Sequence, residues 1–213
     1  MDENFEFFLE NMGPCIKRRG VPSSSIERYR GKLPDQLLAY WKEYGWCGYA
    51  EGLFWVVNPE EYEPVLEACI GNTFFMEKDA YHIIARSAFG HLYFWGEKTG
   101  DSLRILPWNA LAFPSNESER FISQKKNNEV LQWFFGGLDK CYLEIEDDHE
   151  KPLFDRALKK LGRLSSDEIY GFVPALALGG PAELNHMEKL KAVEHLVFLA
   201  QLAPLEIMEN PYL

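Results

Sequence analysis

The chain has 213 residues, 46% hydrophobic and 26% charged, the proportions of an ordinary globular protein. That length suits one large domain or two small ones and buries roughly 70% of the unfolded surface, so no disulfide or metal staple is required. With 33 acidic against 22 basic residues the formal net charge is −11, which argues against nucleic acid as a direct partner, because phosphate contacts need a surplus of Lys and Arg.

In chain order, Asp2–Met12 places Phe5, Phe8, Leu9 and Met12 on one face, the period of a short amphipathic helix that Gly13-Pro14 ends. The basic run Lys17-Arg18-Arg19 reads as a solvated face or turn, and Pro22 to Ser25 as loop. Leu33–Tyr44 is expected to be helical, with Pro34 in its first turn, Leu37, Leu38, Trp41 and Tyr44 inward, and Gly45 as its cap. Trp46–Ala50 and Leu53–Val57 flank Glu51-Gly52 at hairpin spacing. Asn58-Pro59 then opens a helix to about Ile70, with Glu60, Glu61 and Glu63 at its positive end.

Tyr81–Ala88, His91–Gly96 and Ser102–Leu106 are β-branched and aromatic, separated by turn residues, and predict an antiparallel meander with the 58–70 helix on one face. Asn116–Phe135 turns from polar to apolar and ends at Gly136-Gly137, so its second half is expected to be a helix entering a core. Leu153–Leu161 predicts another helix, capped by Gly162. Asp167–Leu178 is a near-continuous apolar run that reads as deeply buried. Asn185–Leu202 carries Met187, Leu190, Val193, Leu196, Val197 and Ala200 as a helical stripe, with Asn185 and Glu188 in the places of a capping box. The whole reads as α+β: an antiparallel β meander packed with helices in residues 1–114 and a mostly helical part in 115–213, the two packed as one unit around a soft boundary near Pro114.

Catalytic and ligand motifs are sparse. There is no G-x-x-x-x-G-K-[ST], no G-x-S-x-G and no H-E-x-x-H, and the four cysteines (Cys15, Cys47, Cys69, Cys141) form no C-x-x-C pair. They read as small buried hydrophobes of a reducing compartment. Neither cofactor nor metal is called for. No apolar run approaches the ~20 residues that span a bilayer. The acidic stretch MDENFEFFLENMG has no cleavable signal pattern, and a cytosolic protein without membrane contact is expected. The strongest charge feature is the tract Glu144, Glu146, Asp147, Asp148 and Glu150. It is either a solvated loop or a surface for a basic partner, whose rim carboxylates would speed association. The run EIEDDHE departs from the calcium-loop pattern D-x-[DN]-x-[DN]-G.

Four strings carry a family resemblance. LPDQLLAYWKEYG and GLFWVVNPEEYEPVLEAC resemble the GAD-like domain: helix, Gly turn, Trp strand, Asn-Pro helix. LGRLSSDEIYGFVPALALGG and EHLVFLAQL resemble the domain that follows it in immunity proteins of the bacterial type VI secretion system. The resemblance covers most of the chain and is weakest over residues 116–151. It implies an immunity protein that binds and blocks a cognate toxin, often a DNase in this family, and it transfers no catalytic residue. An acidic protein could then cover the basic groove that a DNase presents to phosphates, with Glu144, Glu146, Asp147, Asp148 and Glu150 as the partner-binding residues. Whether the active site is plugged or the DNA-binding surface blocked stays open, as does homodimerisation. The competing reading is a hydrolase acting on a nucleotide-like small molecule or toxin product. Its groups would come from His82, His91, His195, Cys69 and Asp167, and it requires them to meet in one cleft.

Overall fold

The computed structural model describes residues 2–208; Met1 and residues 209–213, the ends of the two expected units, lie outside the described residues. The first helix, α1 (Glu3–Met12), starts where the Asp2 carboxylate accepts a hydrogen bond from the Phe5 N–H at 3.0 Å, and it buries Phe5, Phe8 and Met12. The basic run becomes a short edge strand, β1 (Ile16–Arg19), rather than a turn. The expected loop at Pro22–Ser25 is instead the start of α2 (Ser23–Tyr29), which buries Ser25, Ile26 and Tyr29 against the core. The next helix, α3 (Asp35–Tyr44), begins one residue past Pro34. Pro34 stands outside the first turn with extended backbone, and its carbonyl accepts from the Leu37 and Leu38 N–H groups. Gly45 closes α3 at φ 74°, and a Cβ there would collide with the Arg19 carbonyl of the neighbouring strand, so both conformation and space demand glycine.

The hairpin forms as expected, β2 (Trp46–Tyr49) pairing with β3 (Phe54–Val56) across a tight turn in which Ala50, Glu51 and Gly52 all have positive φ. Asn58 caps the following segment, its side chain accepting from the Glu60 N–H. The expected helix is divided into one 3₁₀ turn (Pro59–Tyr62) and α4 (Glu63–Ile70), because Pro64 has no N–H to bond back to the preceding turn. After α5 (Phe75–Lys78) comes the meander: β4 (Tyr81–Ser87), β5 (Leu92–Gly96), β6 (Gly100–Leu106) and β7 (Leu111–Pro114), each antiparallel to the last. Asp79, nearly buried, holds the β5–β6 turn by accepting from the Lys98 and Thr99 N–H groups and the Thr99 hydroxyl.

The remaining elements are α6 (Glu119–Ser123), α7 (Asn127–Gly136), α8 (Phe154–Leu161), β8 (Glu168–Phe172), β9 (Met187–Lys191), α9 (Ala192–Leu202) and β10 (Glu206–Ile207). The main sheet runs β1-β2-β3-β4-β5-β6-β7-β10, with β10 parallel to β7, and β8 and β9 form a separate hairpin. Strands β4 and β5 are buried almost throughout instead of alternating, because both faces of the sheet are covered. Phe54 points to one face, among Phe8, Tyr93, Phe134 and Phe135. Its neighbour Trp55 points to the other, under Arg86. The fold is the expected α+β unit: α7 lies against α1, α3 and β6, so residues on both sides of Pro114 build one core.

Two expectations near the C-terminus fail. Asn185–Leu202 is not one helix: Met187–Lys191 pairs residue for residue with Phe172–Glu168, and α9 starts only at Ala192. The helical spacing of Met187 and Leu190 is real, but the backbone of β8 needs a partner and takes this segment as its own. Asn185 caps nothing; its side chain accepts from the Lys160 ammonium at 3.1 Å. The apolar run is continuously buried only from Ile169 to Phe172, and Ala175 is its one fully buried residue beyond that. Beyond it Pro174 brings no N–H to extend the ladder, and Val173 and Leu178 stand in solvent, Leu178 at 60% exposure.

Candidate partner interface

The acidic tract folds into a compact turn that sorts its carboxylates into inward and outward sets. Glu144 lies inward, one oxygen accepting from the backbone N–H groups of Ile145, Leu153 and Phe154 at 2.9–3.2 Å. It thereby caps α8 from a distance, and burial pushes its pKa up against those hydrogen bonds. Asp147 is also inward, its side chain 5% exposed. One oxygen accepts from the His149 and Lys151 N–H groups, and the other meets the Arg156 guanidinium at 2.6 Å. The Arg156 contact, with the two backbone bonds, holds the Asp147 carboxyl down at about 2. Glu146, Asp148 and Glu150 face solvent.

Beside this turn lies a cleft of about 1090 Å³. One wall is the end of α1 and the turn after it, from Glu10 to Pro14, together with Ala50 and Glu51 of the β2–β3 turn. The other wall is the chain from Lys140 to Glu146, with Phe154 and Asp155 at the start of α8. Ile16, Leu53, His91, Leu106, Trp108 and Pro152 complete the lining. Five carboxylates (Glu10, Glu51, Glu144, Glu146, Asp155) line the cleft against one lysine, Lys140. Tyr142 stands at its edge, 67% exposed.

His91 is 7% exposed, and its ring stacks on Trp108 with centroids 5.9 Å apart. It hydrogen-bonds the Tyr142 backbone, and since Nε2 has no partner the bond falls to Nδ1. Burial pushes the imidazole down to about 4, so it is neutral at physiological pH with Nε2 as a free acceptor. Its charged form is excluded from the fold, and the unfolded chain takes up a proton near pH 6.5 that the folded chain refuses until about 4. Stability is therefore full above 6.5 and falls as the pH drops through that window, by about 3 kcal/mol when complete. Urea denaturation at pH 7 and pH 4.5 measures this, and His91→Phe is expected to flatten the difference. His195, also pushed down by burial, adds a residual slope of the same sign.

The other candidates from the sequence do not converge. His82 pairs with Glu97 at 2.9 Å and Asp167 with Lys191 at 2.5 Å. Cys69 is buried in α4, its thiol pushed up to about 12 by burial, and Cys47 is buried too, but Cys15 is only half-buried and Cys141 is exposed, because it stands on a surface 3₁₀ turn rather than on a core-facing element. His195 lines a small cavity with Phe89, Tyr170 and Gly171; that cavity adjoins the cleft holding His91 through the shared Trp108 and Ile145, but neither lining includes both histidines. Neither cavity contains His82, Cys69 or Asp167. Among the described residues, no group of three or more His, Cys, Asp or Glu is placed to hold a metal ion, and no helix is long and apolar enough to cross a membrane. Sequence reading missed Glu10, Glu51, Trp108 and Asp155 as cleft residues. Their only local signal was charge or an aromatic ring on separate elements.

A model of the GAD-like domain matches residues 3–109, and a model described as T6SS immunity protein Tdi1, C-terminal, matches residues 127–203. No curated protein matches the sequence. Among solved structures, the crystal structure of Atu4351 from Agrobacterium tumefaciens is similar with a TM-score of 0.86, covering 98% of this chain and 94% of that chain at 23% identity. That likeness is one of fold.

Proposed function

The chain belongs to the family in which a GAD-like domain is followed by the C-terminal domain of the type VI secretion system immunity protein Tdi1, and from that membership we propose that it binds and neutralises a cognate antibacterial toxin. The match of residues 127–203 to an immunity domain is the observation that carries this reading. The toxin is a DNase, the chain occludes its active site or DNA-binding surface one molecule to one, and it acts in the cytoplasm of the cell that makes it. A net charge of −11 and the outward Glu146, Asp148 and Glu150 support a partner with a basic, phosphate-binding groove. Glu144 and Asp147 serve the same surface indirectly, by holding the turn that presents the other three.

The test is a titration of the toxin encoded by the adjacent reading frame, with DNA cleavage as the readout. Inhibition is expected to saturate at one chain per toxin. Protection by a hundredth of that amount would replace inhibition by turnover and favour the hydrolase reading. Binding to a toxin that cleaves no DNA would remove the DNase assignment and leave immunity standing. Reversing the two outermost charges (Asp148→Lys with Glu150→Lys) is expected to slow association up to about fivefold at low salt, the loss fading at high salt, as befits rim carboxylates.

A further inference from the structure

We propose that the cleft between the end of α1 and the acidic turn seats an extended basic segment of the cognate toxin. Its Lys or Arg side chains lie among Glu10, Glu146 and Asp155, and its backbone reaches His91 and Trp108. This rests on the reading of the chain as an immunity protein and says which part of it does the binding.

Three observations converge. The first is which carboxylates remain free. Glu51 is engaged by Arg163 and Glu144 by three backbone N–H groups, whereas Glu10, Glu146 and Asp155 have no partner among the described residues. Glu10 also sits in the last turn of α1, which has no basic residue, so its charge opposes the negative end of the helix dipole. A cation brought to that wall relieves both.

The second is on the lining. His91 Nε2 and Trp108 Nε1 are buried without partners, an acceptor and a donor on stacked rings. Buried polar groups in native proteins find hydrogen bonds, and an orphaned pair on a cleft marks where a ligand supplies them. A small cation satisfies neither donor nor acceptor together, but a peptide backbone carries both N–H and C=O.

The third is size and rim. At about 1090 Å³ the cleft exceeds the usual 300–1,000 Å³ of small-molecule sites, and Tyr142 at its edge is of the type that anchors protein interfaces.

The experiment uses the whole chain and a catalytically silenced form of the adjacent-frame toxin, with binding measured by calorimetry at physiological salt. Glu10→Lys with Glu146→Lys puts like charge at both walls using exposed positions, and circular dichroism checks that the variant folds. Binding is expected to weaken about 100-fold, against no more than about fivefold for Asp148→Lys with Glu150→Lys, whose positions lie outside the cleft lining. Cys141, an exposed thiol on the cleft, is expected to react with a maleimide in the free chain and to be shielded in the complex, read by mass at its own peptide. If the cleft variant binds within fivefold of the native chain and Cys141 reacts as fast in the complex as without toxin, the cleft assignment is overturned while immunity stands. If the native chain does not bind the toxin at all, the immunity reading falls with it.

Discussion

Arg86→Ala is expected to cost on the order of 3–5 kcal/mol of folding stability, among the largest effects available from a single substitution in this chain. Arg86 is fully buried, and its guanidinium ties three parts of the molecule together. Nε donates to the Tyr62 hydroxyl at 2.7 Å and Nη1 to the Ser87 carbonyl at 3.1 Å, while Nη2 donates to the Ser166 and Glu168 carbonyls, each at 2.9 Å. The flat face lies over the Trp55 ring, 5.2 Å from its centroid. Among the described residues no carboxylate bonds to it; neutral oxygens and an aromatic face hold the charge, and Asp167 adds only a through-space attraction. Alanine would leave the Tyr62 oxygen and two carbonyls of the β8 approach without a donor, and a cavity beside Trp55. Lysine would not rescue it, since one ammonium cannot reproduce the planar fork that spans Tyr62 and Ser166. The check is a denaturant midpoint with hydrogen exchange over Glu168–Lys191, which should lose protection first. A loss below about 1 kcal/mol would mean that the β8–β9 hairpin docks by apolar packing alone.

Phe135→Ala is expected to cost about 3–5 kcal/mol, for a different reason. Its ring sits 5.1 Å from Phe5, 5.1 Å from Phe8, 5.5 Å from Tyr40 and 5.1 Å from Phe134, mostly edge to face. Residues of α1 and α3 thus complete their core with a side chain from beyond Pro114. It follows that a fragment ending at Pro114 should not fold cooperatively, although a GAD-like model matches almost all of it. Thermal unfolding of the fragment and of the Phe135→Ala chain checks both statements. A fragment that melts as a sharp two-state transition would show that α7 is an accessory to that core. The consequence is that the acidic turn and the cleft hang on a single cooperative unit, so core substitutions far from them should weaken whatever that surface does by lowering the folded population.

The elements legible in the sequence are those whose signals are local. Asp2 and Asn58 cap as residues of their type do, Gly45 and Gly162 end helices at positive φ, and the turn residues between 46 and 106 mark out the strands they separate. Met187 and Leu190 misled because helical and extended readings of a five-residue apolar pattern differ only in what the backbone bonds to, and that partner, β8, is not a neighbour in sequence. The acidic tract was visible as charge. That two of its five carboxylates are spent on the N–H groups of α8 and on Arg156 was not visible, because hydrogen bonding across a turn leaves no mark on composition.

What the amino-acid sequence determined by itself is the class of the fold, the places of α1, α3, α7, α8 and the strands from β2 to β6, its acidity and the strings shared with an immunity family, since propensity, capping and charge are properties of residues and their nearest neighbours. What only the tertiary structure decided is which distant residues meet. Arg86 under the β8–β9 hairpin, Phe135 in the core of α1 and α3, and Glu10 in the same cleft as Glu146 are all products of chain reversal and packing. The cleft belongs to this second kind. Its free carboxylates and its unpartnered imidazole and indole nitrogens come from segments that are far apart until the sheet and its covering helices bring them together.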